Sequence, residues 1–210
     1  MKRLALFLSL PVVFLLALSG PAGAVDVKRV DSGLGFSALL VEDHSNPIIA
    51  MRIAFHGGSA LDPVEQEGLA NLVSGLIDEG AGDLDSQTFQ ARLEDYSIKL
   101  SFSSGADSFR GSLTTLSENR EEAFSLLKLA LTEPRFDAEP VERIKEQILS
   151  GIRQSAEDPN SIAYEELYKT VFAGHPYGRP SEGTLETDKG ISVEAMAGFV
   201  SRRFALDNLH

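Results

Sequence analysis

Enzyme chemistry starts with side chains that can hold a metal, attack a bond or move a proton, and this sequence is sparing with them. It has four His, at positions 44, 56, 175 and 210, and no Cys. A zinc site needs three protein ligands from His, Cys, Asp or Glu. No two of these His stand four apart, the spacing that puts two ligands on one helix face. His44 falls in a turn-rich stretch, His56 at the end of an apolar run and His175 in a Pro/Gly loop, which are surface or capping positions. A serine hydrolase needs a Gly-x-Ser-x-Gly elbow. The nearest stretch, Gly57-Gly58-Ser59, follows an apolar run but opens a loop, not a helix. No Gly-x-x-x-x-Gly-Lys-Ser/Thr phosphate loop occurs. With 31 Asp and Glu in the chain, a pair such as Glu165-Glu166 carries little information and reads as a solvated helix face. The residue types alone point to no catalytic constellation.

The elements that carry these residues are legible in the apolar pattern. Residues 25–30, 36–42 and 48–55 are short runs rich in Val, Ile, Leu and Phe. Turn residues Asp31-Ser32-Gly33 and Asp43-His44-Ser45-Asn46-Pro47 separate them, which predicts three strands in an antiparallel meander. Over 67–78, Leu69, Leu72, Val73, Leu76 and Ile77 recur at helical spacing, giving one apolar stripe that ends at Gly80. A helix is predicted from Asp85 to about Asp95, then strands over 99–104 and 108–115 around a Gly105-Ala106-Asp107 turn. Ser117 caps a helix to about Leu131. Pro140 starts another, with Val141, Ile144, Ile148, Leu149 and Ile152 on one face. Further helices follow over 162–172 and, capped by Ser192, over 192–204. The order predicts an α+β fold, an antiparallel sheet of about five to six strands packed against several helices.

Composition narrows the setting. The first 24 residues have the three parts of a secretory signal: Lys2 and Arg3, an apolar run over 4–18, and Ala22-Gly23-Ala24 as the cleavage pattern. The run is shorter than the roughly 20 residues a spanning helix needs, and Pro11 interrupts it. Cleavage is expected after Ala24, and no Cys follows to take a lipid. The net charge of −12 becomes −14 once Lys2 and Arg3 are removed. Nucleic-acid binders carry basic patches that replace phosphate counterions, so this balance argues against them and against anionic lipid. An exported chain without Cys has no disulfide framework and must rest on a packed core. The remaining residues suffice for one domain.

Several patches, in order, resemble one family. Phe55-His56-Gly57-Gly58-Ser59-Ala60-Leu61-Asp62-Pro63, with Glu67-Gly68-Leu69-Ala70, is similar to the stretch that leads into the catalytic helix of insulinase/pitrilysin zinc metallopeptidases. The stretch 76–82, Phe136 with residues 141–152, Asp158-Pro159-Asn160, and His175-Pro176-Tyr177-Gly178-Arg179-Pro180-Ser181-Glu182-Gly183 continue the likeness. The family holds zinc with an inverted His-x-x-Glu-His motif, whose Glu is the general base. Carried over, the first His position falls on Asn71, the Glu on Ser74, the second His on Gly75, and the third ligand near Gly151 or Ile152. Glu146 lies more than a turn too early to replace it. Asn71 and Ser74 are neutral oxygen donors, and Gly75 donates nothing. Without the ion, a water keeps its pKa of about 15.7, not one of about 7.

The resemblance therefore implies a peptidase-like domain with no metal and no cofactor of its own. It implies a non-catalytic subunit of an exported zinc peptidase, helping to form the peptide-binding chamber with a zinc-bearing partner chain. The resemblance leaves two other readings open, an assembly or binding protein on the same fold and an unconventional metallopeptidase. It also implies that 25–210 is the N-terminal domain of a longer two-domain protein, whose next strand would begin after Asn208. The signal segment places the protein in a bacterial periplasm.

Overall fold

The computed structural model describes residues 26–209; the signal segment, Val25 and His210 lie outside the described residues. Strands β1 (Val27–Asp31) and β2 (Ser37–Val41) form an antiparallel hairpin, with Val27 opposite Val41. Strand β3 (Ile48–His56) does not continue this hairpin into a meander. It pairs with β5 (Ser108–Leu116), which lies between β3 and β4 (Lys99–Ser104). Among the described residues there are thus a two-stranded and a three-stranded sheet in place of one sheet of five to six strands.

The reason is where apolar side chains can be buried. Val27, Val30, Leu39, Leu40 and Val41 are all exposed, so β2 has no buried face to fix it beside β3. On β3, Ile53 and Phe55 point inward, and their partners on β5 are Gly111 and Phe109. Met51 lies opposite the buried Leu113. That shared inner face sets the register.

Helix α1 (Leu69–Leu76) buries the predicted stripe, with Leu69, Leu72, Val73 and Leu76, and Ile77 just past its end, all within the core. It is shorter at both ends than the stretch 67–78. Helix α2 (Ser86–Asp95) is capped by Asp85, whose carboxylate accepts from the Thr88 N–H at 2.8 Å. A single 3-10 turn at Ser117–Asn119 precedes α3 (Arg120–Thr132), so the helix starts beyond the predicted Ser117 cap. Helix α4 (Ala138–Ser155) holds Pro140 in its first turn, where the missing N–H costs nothing. Helix α5 (Pro159–Val171) starts on the Asp158 cap, with Ser161 donating to it at 2.8 Å, and buries none of its residues. A short α6 (Thr187–Gly190), absent from the sequence-based expectation, comes before α7 (Val193–Arg203), which Ser192 caps as predicted.

The core lies between the three-stranded sheet and the helices. Phe109 of β5 meets Phe199 of α7 and Phe204 beyond it, at centroid distances of 5.8 and 5.0 Å. Each fully buried large side chain of this kind contributes roughly 1.5–3 kcal/mol. Leu209 forms an antiparallel bridge to Phe55 on the edge of β3 that faces away from β5. Among the described residues, no helix is long and apolar enough to cross a membrane.

Candidate functional site

Of the positions singled out by resemblance, Asn71, Ser74 and Gly75 sit on α1 and Gly151 and Ile152 on α4, and the motif loops hold the start of α1. The Asp62 carboxylate, 5% exposed, accepts from the Ala70 N–H at 3.1 Å and so satisfies a donor of the first turn. Burial pushes this carboxyl up to about 6, against the opposing pull of the Ala70 and Gly68 N–H groups and of Arg179 and Arg203. Arg179 donates to the carbonyls of Asp62 and Ala60, both at 3.0 Å, and lies 3.6 Å from the Glu67 carboxylate. The Thr187 hydroxyl donates to the Glu67 carbonyl at 2.9 Å.

Gly68 and Gly183 make the closest part of this clamp. Both have positive φ, +94° and +81°. A Cβ on Gly183 would stand 2.4 Å from the Glu67 carbonyl oxygen. The two patches, 62–70 and 175–183, are therefore one structural joint. His175 serves that joint: its Nδ1 accepts from the Tyr177 N–H at 3.2 Å, and its ring stands edge-on to Tyr177 at 4.6 Å. The capping role is the one its loop position suggested.

Further along α1, the Ser74 hydroxyl is buried and donates to the Asn71 carbonyl at 2.7 Å, a bond closed within the helix itself. Gly75 faces α4. A Cβ placed on it would come 3.2 Å from Ile144 Cγ2. On α4, Gly151 is exposed, and a Cβ there would meet nothing within 4 Å; Ile152 is half-buried and Glu146 is exposed. The wall between α1 and α4 is thus close-packed at Gly75 and open at Gly151. The approach of Ile144 to Gly75 is one that no spacing rule reveals. His44 is exposed between β2 and β3, and His56 ends β3 with its carbonyl accepting from Asn208 at 2.9 Å. Among the described residues, no group of three or more His, Cys, Asp or Glu is placed to hold a metal ion.

Beside this wall lies a cleft of about 840 Å³ between the end of α4, helix α5 and the 176–186 loop. Ile152, Tyr164, Tyr168, Phe172 and Tyr177 give it an apolar and aromatic lining. Glu165, which the sequence presents as a solvated helix residue, is exposed and also borders the cleft. The arrangement offers a surface for contact, on which the Tyr177 hydroxyl donates to the Asp107 carboxylate at 2.6 Å.

The family model described as Insulinase (peptidase family M16) matches residues 37–185. The chain belongs to this family. It is 29% identical over 168 residues to the Helicobacter pylori non-peptidase homolog YmxG, covering 80% of this chain and 39% of that protein. It is 23% identical over 155 residues to mitochondrial-processing peptidase subunit beta of Dictyostelium discoideum, covering 72% of this chain and 33% of that protein. In structure it matches the inactive domain of a Pseudomonas fluorescens peptidase M16 with a TM-score of 0.83 and 27% identity, over 88% of this chain and 45% of that one. The chain spans less than half the length of these relatives. As an insulinase-family member it is α+β, and it lacks the His-x-x-Glu-His motif.

Proposed function

We propose that this chain is a non-catalytic subunit of an exported insulinase-family zinc peptidase, forming part of a peptide-binding chamber with a zinc-bearing partner. The observation that carries the reading is the α1–α4 wall. Asn71, Ser74 and Gly75 stand where the family's two His and its Glu would stand. Ser74 is satisfied by its own helix, and Gly75 is packed against Ile144. Asn71 and Ser74 would not generate a zinc hydroxide, and Gly75 contributes no donor. Zinc belongs in the partner chain, and this chain carries neither metal nor cofactor.

The names of the similar proteins support the same reading. One is a non-peptidase homolog, one an inactive domain and one the subunit beta of a mitochondrial-processing peptidase, a name that implies a multi-chain assembly. The secretory pattern of residues 1–24 supports a periplasmic location, and the partner then needs an export signal of its own. The aromatic cleft beside α5 is a surface on which such an assembly can hold polypeptide. The purified chain alone, given a quenched fluorescent peptide with and without a chelator, is expected to leave it intact. Cleavage that the chelator abolishes would overturn the proposal.

A further inference from the structure

The segment 184–191 contains a buried acid that has no part in the α1–α4 wall or in the joint between the motif loops. Asp188, on α6, is fully buried, and neither of its carboxylate oxygens has a hydrogen-bond partner. An ionised carboxylate without donors is strongly disfavoured there relative to the neutral acid. Lys145 of α4 relieves it only in part: it forms no ion pair with Asp188, and its ammonium donates to the Ile191 carbonyl at 2.7 Å. Glu146, also on α4, adds a like charge. Desolvation accordingly raises the Asp188 carboxyl, with Lys145 opposing the shift and Glu146 adding to it. The other element packed on α6 is the 64–66 turn, which carries Glu65; Glu67 beside it is held by Arg179.

The same segment has a second attachment. Thr184, Leu185 and Glu186, immediately before α6, form part of the wall of the aromatic cleft. The Asp188 N–H donates to the Thr184 carbonyl at 3.1 Å, so displacement of the acid moves that wall. We propose that residues 184–191 are a proton-operated latch on the cleft. With Asp188 protonated the segment seats against α4; loss of the proton to solvent leaves an unpaired buried charge, unseats the segment and widens the cleft.

Amide hydrogen exchange of the full chain tests this, comparing wild type with Asp188→Asn at a mildly acidic and a mildly alkaline pH after correction for intrinsic exchange rates. The readout is the 184–191 peptide relative to core peptides from α1 and β5, which removes any global response. In wild type its relative exchange is expected to rise roughly tenfold at the higher pH, as for a local opening, and in Asp188→Asn to stay slow at both. An equal response in the two proteins, or none in wild type, would overturn the latch. Should Asp188→Asn fail to fold, a carboxyl-carbon NMR titration of wild type decides: a midpoint above that of the exposed Asp residues supports the latch, and an ordinary midpoint overturns it.

Discussion

Gly75 of α1 faces Ile144 of α4 at close range: a Cβ there would stand 3.2 Å from Ile144 Cγ2, tighter than ordinary van der Waals contact, so Ile144 would have to shift to admit one. By resemblance, Gly75 falls at the position of the family's second zinc-binding His.

Restoring the motif residues alone is therefore expected to fail. The triple variant Asn71→His, Ser74→Glu, Gly75→His overpacks the α1–α4 wall and still lacks an acid at 151 or 152. Overpacking a core costs about 1–3 kcal/mol. Zinc content after dialysis should stay well below one ion per chain, and thermal unfolding should shift down by several degrees. Stoichiometric, tightly held zinc in the triple variant would contradict this picture of the wall.

The joint between the two motif loops should be equally intolerant. Gly183→Ala adds a Cβ 2.4 Å from the Glu67 carbonyl oxygen at a φ of +81°. Strain of this kind costs on the order of 1–3 kcal/mol, and it acts where Arg179, Thr187 and Asp62 secure the start of α1. Circular dichroism melts should show the loss. A substitution at Gly174, which also has positive φ but no heavy atom within 4 Å of a Cβ, should cost less.

Stability should fall as pH rises through the weakly acidic range. Burial pushes both Asp62 and Asp78 up to about 6. Each is then protonated in the folded chain and ionised in the unfolded chain between about 4 and 6, so the unfolded state gains over that window and stability declines until both states are ionised. Urea midpoints at acid and neutral pH check the sign. In Asp78→Asn the decline should be smaller, whereas an unchanged profile would assign the effect elsewhere.

The helices are legible in the sequence because each carries its own evidence. The stripe of Leu69, Leu72, Val73 and Leu76 is local, as are the caps at Asp85 and Ser192. In the sheet the β4–β5 hairpin is legible at its 105–107 turn, but the β3–β5 pairing is not, because those strands are far apart in the chain and their pairing rests on a shared inner face that no turn announces. The exposed hairpin of β1 and β2 reads as the start of a meander because its residues have the right types for strands. At the site, resemblance in the flanking patches singles out Asn71, Ser74 and Gly75, and all three lie on α1. The neighbour across the wall, the short α6 and the buried Asp188 depend on tertiary packing, which local pattern does not encode.

The role proposed for this chain is to complete a peptidase whose zinc lies in another chain. Its most direct test is co-expression with an exported insulinase-family chain that carries His-x-x-Glu-His, encoded beside it. Co-purification and peptide cleavage are then measured with and without this protein. The expected result is a stable complex whose chelator-sensitive cleavage is strong only when both chains are present. Full activity of the zinc-bearing chain alone, unchanged by adding this one, would contradict it.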